Sequence, residues 1–168
     1  MKNIILFSIS LVLVLMTSCG QDSENTTSVV YDLPSTSSNG ISGSLTISKN
    51  ADNSATFFIK LDNTIQGFSY PTHLHFGDLS TENAGIAFLL TPTSGDTGTS
   101  ETVVSLLSDD NPVTYDEIVQ GQFSVKIHLG DGDEEKNIIL AASNVGASYD
   151  LNASNSIAVC GSEKDGLN

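Results

Sequence analysis

Short runs of β-branched and aromatic residues recur along this chain, each closed by Gly, Asn, Asp, Ser or Pro before a helix could complete its turns. They fall at 29–33, 41–48, 55–61, 72–76, 86–90, 102–106, 122–129, 138–142 and 156–160. This rhythm predicts an all-β domain, an antiparallel β-sandwich or barrel. Only 114–120 reads as helical. Pro112 precedes it, Thr114 and Glu117 have capping-box spacing, and Ile118 and Val119 can face a core, so one short connecting helix is expected. The Thr-, Ser-, Gly- and Asp-rich segment 92–101 is expected to be an exposed loop, as is 130–136.

The N-terminus is of a different kind. Met1-Lys2-Asn3 is a short positive start, residues 4–16 are apolar apart from Ser8 and Ser10, and Thr17-Ser18 lead into Cys19. That order is the pattern of a lipoprotein signal peptide, residues 1–18, with Cys19 becoming the lipidated first residue. The apolar run is short of the roughly 20 residues that span a bilayer, whereas an acylated cysteine carries the two or more chains that stable anchoring needs. The expected location is the bacterial cell envelope, at the outer membrane. Residues 19–28 are polar and without periodicity, which predicts a tether, and 29–168 have the length of one folded domain.

Charge narrows the partners. Twenty acidic residues against six basic ones give a formal net charge of −14, and every basic residue is Lys. Such a chain repels phosphate backbones, so no nucleic-acid partner is expected, while cations are drawn toward it. With Cys19 acylated, Cys160 has no intramolecular partner. Its neighbours Ile157, Ala158 and Val159 point to a buried thiol in a terminal strand.

The three histidines carry the sharpest chemical signal. His73 and His75 end Thr-His-Leu-His-Phe, where alternation throws both rings to one side of a strand and Leu74 and Phe76 to the other. His128 closes a run in which Phe123, Val125, Ile127 and Leu129 share one face while Ser124, Lys126 and His128 share the opposite one. All three rings therefore leave the apolar side, which counts against ordinary core histidines. Two ligands at i and i+2 start roughly 6 to 7 Å apart at the backbone, close enough to converge on one ion if His128 arrives from a second strand. Neutral imidazole suits copper, zinc, iron or nickel, and among divalent ions copper binds such donors most tightly. Asp78 is expected to accept an imidazole N–H, and Lys126 to lie beside the site.

The segments Pro71-Thr-His-Leu-His-Phe-Gly77, Gly85-Ile-Ala-Phe-Leu-Leu-Thr-Pro92, Ser94-Gly-Asp-Thr-Gly98, Tyr115-Asp-Glu-Ile118 and Phe123-Ser-Val-Lys-Ile-His-Leu129 resemble the chordin-type domain known as CHRD, in the form found in bacterial surface lipoproteins. More distantly they are similar to copper-zinc superoxide dismutase, with its His-x-His strand and its late strand ending in His. The resemblance implies a Greek-key β-sandwich or barrel with His73, His75 and His128 in the positions of copper ligands. It also marks departures. Where the enzyme has a histidine bridging copper and zinc, this chain has Ala87 in Gly85-Ile86-Ala87-Phe88, and no histidine remains for a zinc site of the dismutase type. The enzyme's anion-guiding arginine is absent too, with Lys126 the only substitute on that face.

Three readings follow. The first is an envelope lipoprotein binding copper in storage, delivery or protection. The second is a non-enzymatic structural or adhesive module, its histidines vestigial and its acidic, Thr-rich loop 92–101 presented to a surface protein or glycan. The third is an enzyme, copper-dependent superoxide dismutation. Asp131-Gly-Asp-Glu-Glu lacks the full spacing of a calcium loop and reads as a solvated turn.

Overall fold

The computed structural model describes residues 27–36, 38–150 and 157–158, so the expected signal peptide, Cys19, most of the expected tether and Cys160 lie outside the described residues. Eight strands are arranged in two antiparallel four-stranded sheets. They are β1 (Ser28–Leu33), β2 (Ser42–Lys49), β3 (Ala55–Asp62), β4 (Ser69–Phe76), β5 (Ile86–Ser94), β6 (Thr99–Val104), β7 (Gln122–His128) and β8 (Ile139–Gly146), with helix α1 (Tyr115–Gln120) between β6 and β7. One sheet has the order β1-β2-β3-β6 and the other β5-β4-β7-β8. The non-sequential neighbours β3/β6 and β4/β7 arise because the chain crosses between sheets after β3, β5 and β6, which is a Greek-key connection. No helix among the described residues is long and apolar enough to cross a membrane.

The core lies between the inner faces and follows period-two alternation. Leu45 and Ile47 of β2, Phe57 and Ile59 of β3, Leu74 of β4, and Val125 and Ile127 of β7 are buried in it. Helix α1 plugs one end: Ile118 is fully buried, and Thr114 and Glu117 form the expected reciprocal cap, Glu117 N–H donating to Thr114 Oγ1 at 3.3 Å and Thr114 N–H to Glu117 Oε2 at 2.8 Å. Both prolines of the second sheet sit where a missing N–H does least harm. Pro71 falls at a register shift in the β4/β5 ladder, and Pro92 lies on β5, an edge strand.

Segment 92–101 corrects the expectation of an exposed loop. Residues 92–94 complete β5 and 99–101 belong to β6, leaving a tight connection at 95–98. Thr93 is fully buried, and its hydroxyl lies 3.3 Å from that of Thr72 and 3.1 Å from that of Ser100, a hydroxyl chain that ties the sheets together at this edge. Hydroxyl-rich composition suggested loop, but Thr is β-branched and its hydroxyl finds partners between the sheets. Gly98 permits the crossing: its φ is +69°, and a Cβ there would meet the Leu61 carbonyl oxygen at 2.4 Å. At the other edge, Thr36 N–H donates to the Leu140 carbonyl at 2.9 Å, so the start of β8 is tied to the exit of β1. The ninth expected strand, 156–160, is described only at Ile157 and Ala158, which are not in a strand.

The two faces of the β4/β5 pair differ in stability. Leu74 is fully buried while Leu89, on the opposite side, is 62% exposed. Leu74→Ala is expected to destabilise the protein by about 2 to 5 kcal/mol and Leu89→Ala by less than about 0.5 kcal/mol, as read from urea unfolding midpoints.

Candidate metal centre

Strands β4 and β7 are direct neighbours, paired Thr72 to Ile127, His73 to Lys126, Leu74 to Val125 and His75 to Ser124. With Leu74 and Ile127 in the core, this register sends His73, His75, Lys126 and His128 to the outer face of the second sheet. His73 and His128 are diagonal neighbours across the two strands, and His75 lies one step further along β4. The ring centroids are 4.8 Å apart for His73 and His128, 5.8 Å for His73 and His75, and 6.4 Å for His75 and His128. One donor atom from each residue lies within 4.8 Å of the other two, so the structure brings together all three expected ligands. Around an ion with metal–nitrogen bonds near 2.0 to 2.1 Å the donors would stand about 3.4 Å apart, so modest ring rotation closes the set.

Around His75 and His128 the outer face is covered, although Leu89, opposite His73, stays exposed. His75 and His128 are each 1% exposed, and only His73 is partly accessible. The β4–β5 connection (77–85) lies against His75, the backbone at Lys136 lies against His128, and residues 157–158 lie against Lys126 on the same face. Leu79, Ile139 and Ala142 form a separate apolar cluster against which Ile157 packs. Polar contacts pin this layer down: Leu79 N–H donates to Asn144 Oδ1 at 2.7 Å, Ala158 N–H to the Leu79 carbonyl at 2.8 Å, and Lys126 Nζ to the Ala158 carbonyl at 2.7 Å. Nothing in local alternation indicates this cover, which depends on residues far apart in the chain.

The same layer selects a tautomer. His75 Nδ1 lies 3.1 Å from the Ala84 carbonyl oxygen, and because a carbonyl only accepts, Nδ1 carries the hydrogen and the lone pair is left on Nε2. Ala84 therefore fills the role expected of Asp78. The Asp78 carboxylate is instead taken up within its own turn, accepting from Ser80 N–H at 2.9 Å, Ser80 Oγ at 2.7 Å and Thr81 Oγ1 at 3.2 Å, and these bonds hold it below the usual carboxylate range. The Asp-x-Ser spacing is an Asx-turn signal, which was the stronger reading of that residue. Lys126 does lie beside the site, but it is 1% exposed and its ammonium points to the Ala158 carbonyl rather than outward to guide anions.

Burial keeps two of the imidazoles, His75 and His128, neutral. It takes the His75 pKa down to about 4, helped by the Lys126 ammonium and opposed by the bond to Ala84. His128 is also lowered to about 4, by burial first and then by His73, against a backbone hydrogen bond at Lys136. Two uncharged nitrogen donors in a dry setting need not shed a proton to bind a cation at neutral pH. No protein-family model, no curated protein and no solved structure matches the chain.

These shifts set a pH dependence. Unfolded histidine takes up a proton near pH 6.5, whereas the buried rings resist until about pH 4. Between those values the unfolded chain binds more protons, so stability is fully present above about pH 6.5 and is lost as pH falls toward 4. The loss in metal-free protein is expected to be on the order of 3 kcal/mol per buried histidine. Urea unfolding between pH 7.5 and 4 reads it, and His128→Gln should roughly halve the histidine-dependent slope.

Proposed function

We propose that this chain is an envelope lipoprotein whose β-sandwich holds a copper ion through His73, His75 and His128, serving storage, delivery or protection rather than turnover. The observation that carries the reading is the convergence of three imidazoles from two strands, with donor atoms within 4.8 Å of one another. Their chemistry fits a borderline or soft transition metal and disfavours calcium or magnesium, which take oxygen ligands. Copper leads on affinity for nitrogen donors, and when bound it supplies redox chemistry or simple occupancy. The chain contributes a tautomer fixed at His75, a cover that excludes water, and partial access at His73. Membership of the CHRD type and anchoring through Cys19 belong to the same proposal, motivated by the residues that carry the resemblance and by the order of the first nineteen residues.

The adhesive reading loses its main motive, because most of 92–101 is strand rather than a displayed loop. Dismutation ranks below both metal storage and delivery. Ala87 stands where a bridging imidazole would relay protons, and the one lysine on the face is buried beneath Ala158.

Copper titration of the full-length chain against a competing chelator tests the metal reading. Since loss of even an outer hydrogen-bond partner costs ~10- to 100-fold, His73→Ala and His128→Ala should each weaken binding by about 100-fold or more. Unchanged affinity in both variants would rule it out. For the anchor, Cys19→Ser should move the protein from the membrane fraction to the soluble envelope fraction, and retention in the membrane would remove lipidation from the proposal.

A further inference from the structure

The mouth of the histidine centre has a composition of its own. Of the three rings only His73 is partly accessible, while His75 and His128 are each 1% exposed. Directly across the β4/β5 ladder from His73 stands Leu89, which is 62% exposed. Just past His128, Leu129 N–H donates to the Ile138 carbonyl at 3.0 Å, so Ile138, 43% exposed, borders the same end of β7. The two segments that lie against the buried rings carry exposed charge of one sign. Ala84, against His75, follows Glu82, and the backbone at Lys136, against His128, follows Asp131, Asp133, Glu134 and Glu135, all five carboxylates exposed. Lys136, the one cation in these two segments, is paired with Asp133 at 3.0 Å.

We infer that this mouth is a docking surface for a metal-carrying protein with a basic face that presents apolar side chains, and that copper passes between the two through His73. This rests on the metal reading above and names the partner with which the site exchanges. The carboxylates attract a hydrated ion and a cationic protein alike. Leu89 separates the two sources, because an apolar side chain beside the accessible ligand gives a hydrated ion nothing, whereas a protein partner gains by removing it from water. A second copy of this chain is disfavoured, since both copies would bring the same carboxylates to the contact. A few apolar residues inside a charged rim suit a small, transient encounter, which is what release of the metal requires. The step is a ligand exchange with no change of oxidation state. Each bond from copper to an imidazole nitrogen of this chain replaces one from copper to the carrier, whose donor departs with its electron pair. His73 forms the first such bond, and His75 and His128 follow.

Rates of copper transfer to the full-length chain from two synthetic carriers test the inference. Both are peptides that hold Cu(II) through a His-Gly-His head; one is the head alone, and the other continues into a tail of alternating Lys and Leu. The tailed carrier is expected to deliver its copper roughly tenfold faster or more at low ionic strength, an advantage that high salt reduces. Leu89→Ser changes an exposed position outside the ligand set, so folding and equilibrium copper affinity should match the parent chain. Transfer from the tailed carrier should nevertheless slow several-fold, with transfer from the head alone unchanged. Equal rates from the two carriers, or a tailed carrier that keeps its full advantage on Leu89→Ser, would overturn the inference while leaving the metal site standing. A dimer of the metal-free chain in sedimentation that Leu89→Ser dissociates would give the surface to a second copy and overturn it as well. Failure to take copper from either carrier or as the free ion would end the inference and the metal reading together.

Discussion

Everything at the candidate centre depends on one ladder, the antiparallel pairing of β4 with β7 in the register that sets Thr72 opposite Ile127. Side chains alternate across a sheet with period two, so that register commits Leu74, Val125 and Ile127 to the core and His73, His75, Lys126 and His128 to the far side. A slip of one residue would exchange the two sets, leaving imidazoles and an ammonium among Leu45, Phe57 and Ile59. The apolar residues thus fix which face the histidines occupy. Their burial on the inner face makes the alternative register too costly to populate.

The second constraint is the cover on the outer face. A sandwich sheet normally leaves one side to water, and His75, Lys126 and His128 would then be ordinary surface residues. Here the 77–85 connection and residues 157–158 cover part of that side, through the Leu79, Ile139 and Ala142 cluster and a short series of hydrogen bonds linking Asn144, Leu79, Ala158 and Lys126. Partial cover turns three histidines into a chemical site. It lowers the pKa of two of them to about 4, fixes the His75 tautomer through Ala84, and leaves His73 as the accessible member. Lys126, tied to the cover through the Ala158 carbonyl, adds to the lowering of the His75 pKa.

The chain carries a formal net charge of −14, which draws cations toward its surface over a long range that added salt shortens. The histidine cluster contributes neutral donors, so that attraction comes from the surface carboxylates and not from the ligands themselves.

Much of this was legible in the residues alone. Alternation in Thr-His-Leu-His-Phe and in the run from Phe123 to Leu129 assigned the histidines to one face and the apolar residues to the other, because a strand has only two sides. Thr114 and Glu117 announced the helix cap because that interaction spans three residues. Local signals failed where partners are distant. The 92–101 segment read as loop because its threonine hydroxyls bond across the gap between sheets, and Asp78 was assigned to an imidazole although its own turn claims it. That β4 lies beside β7, that residues 77–85 and 157–158 cover the histidines, and that Lys126 is buried with them were decided only by tertiary structure. Strand adjacency and burial are properties of contacts between segments tens of residues apart, and no pattern within one segment encodes them.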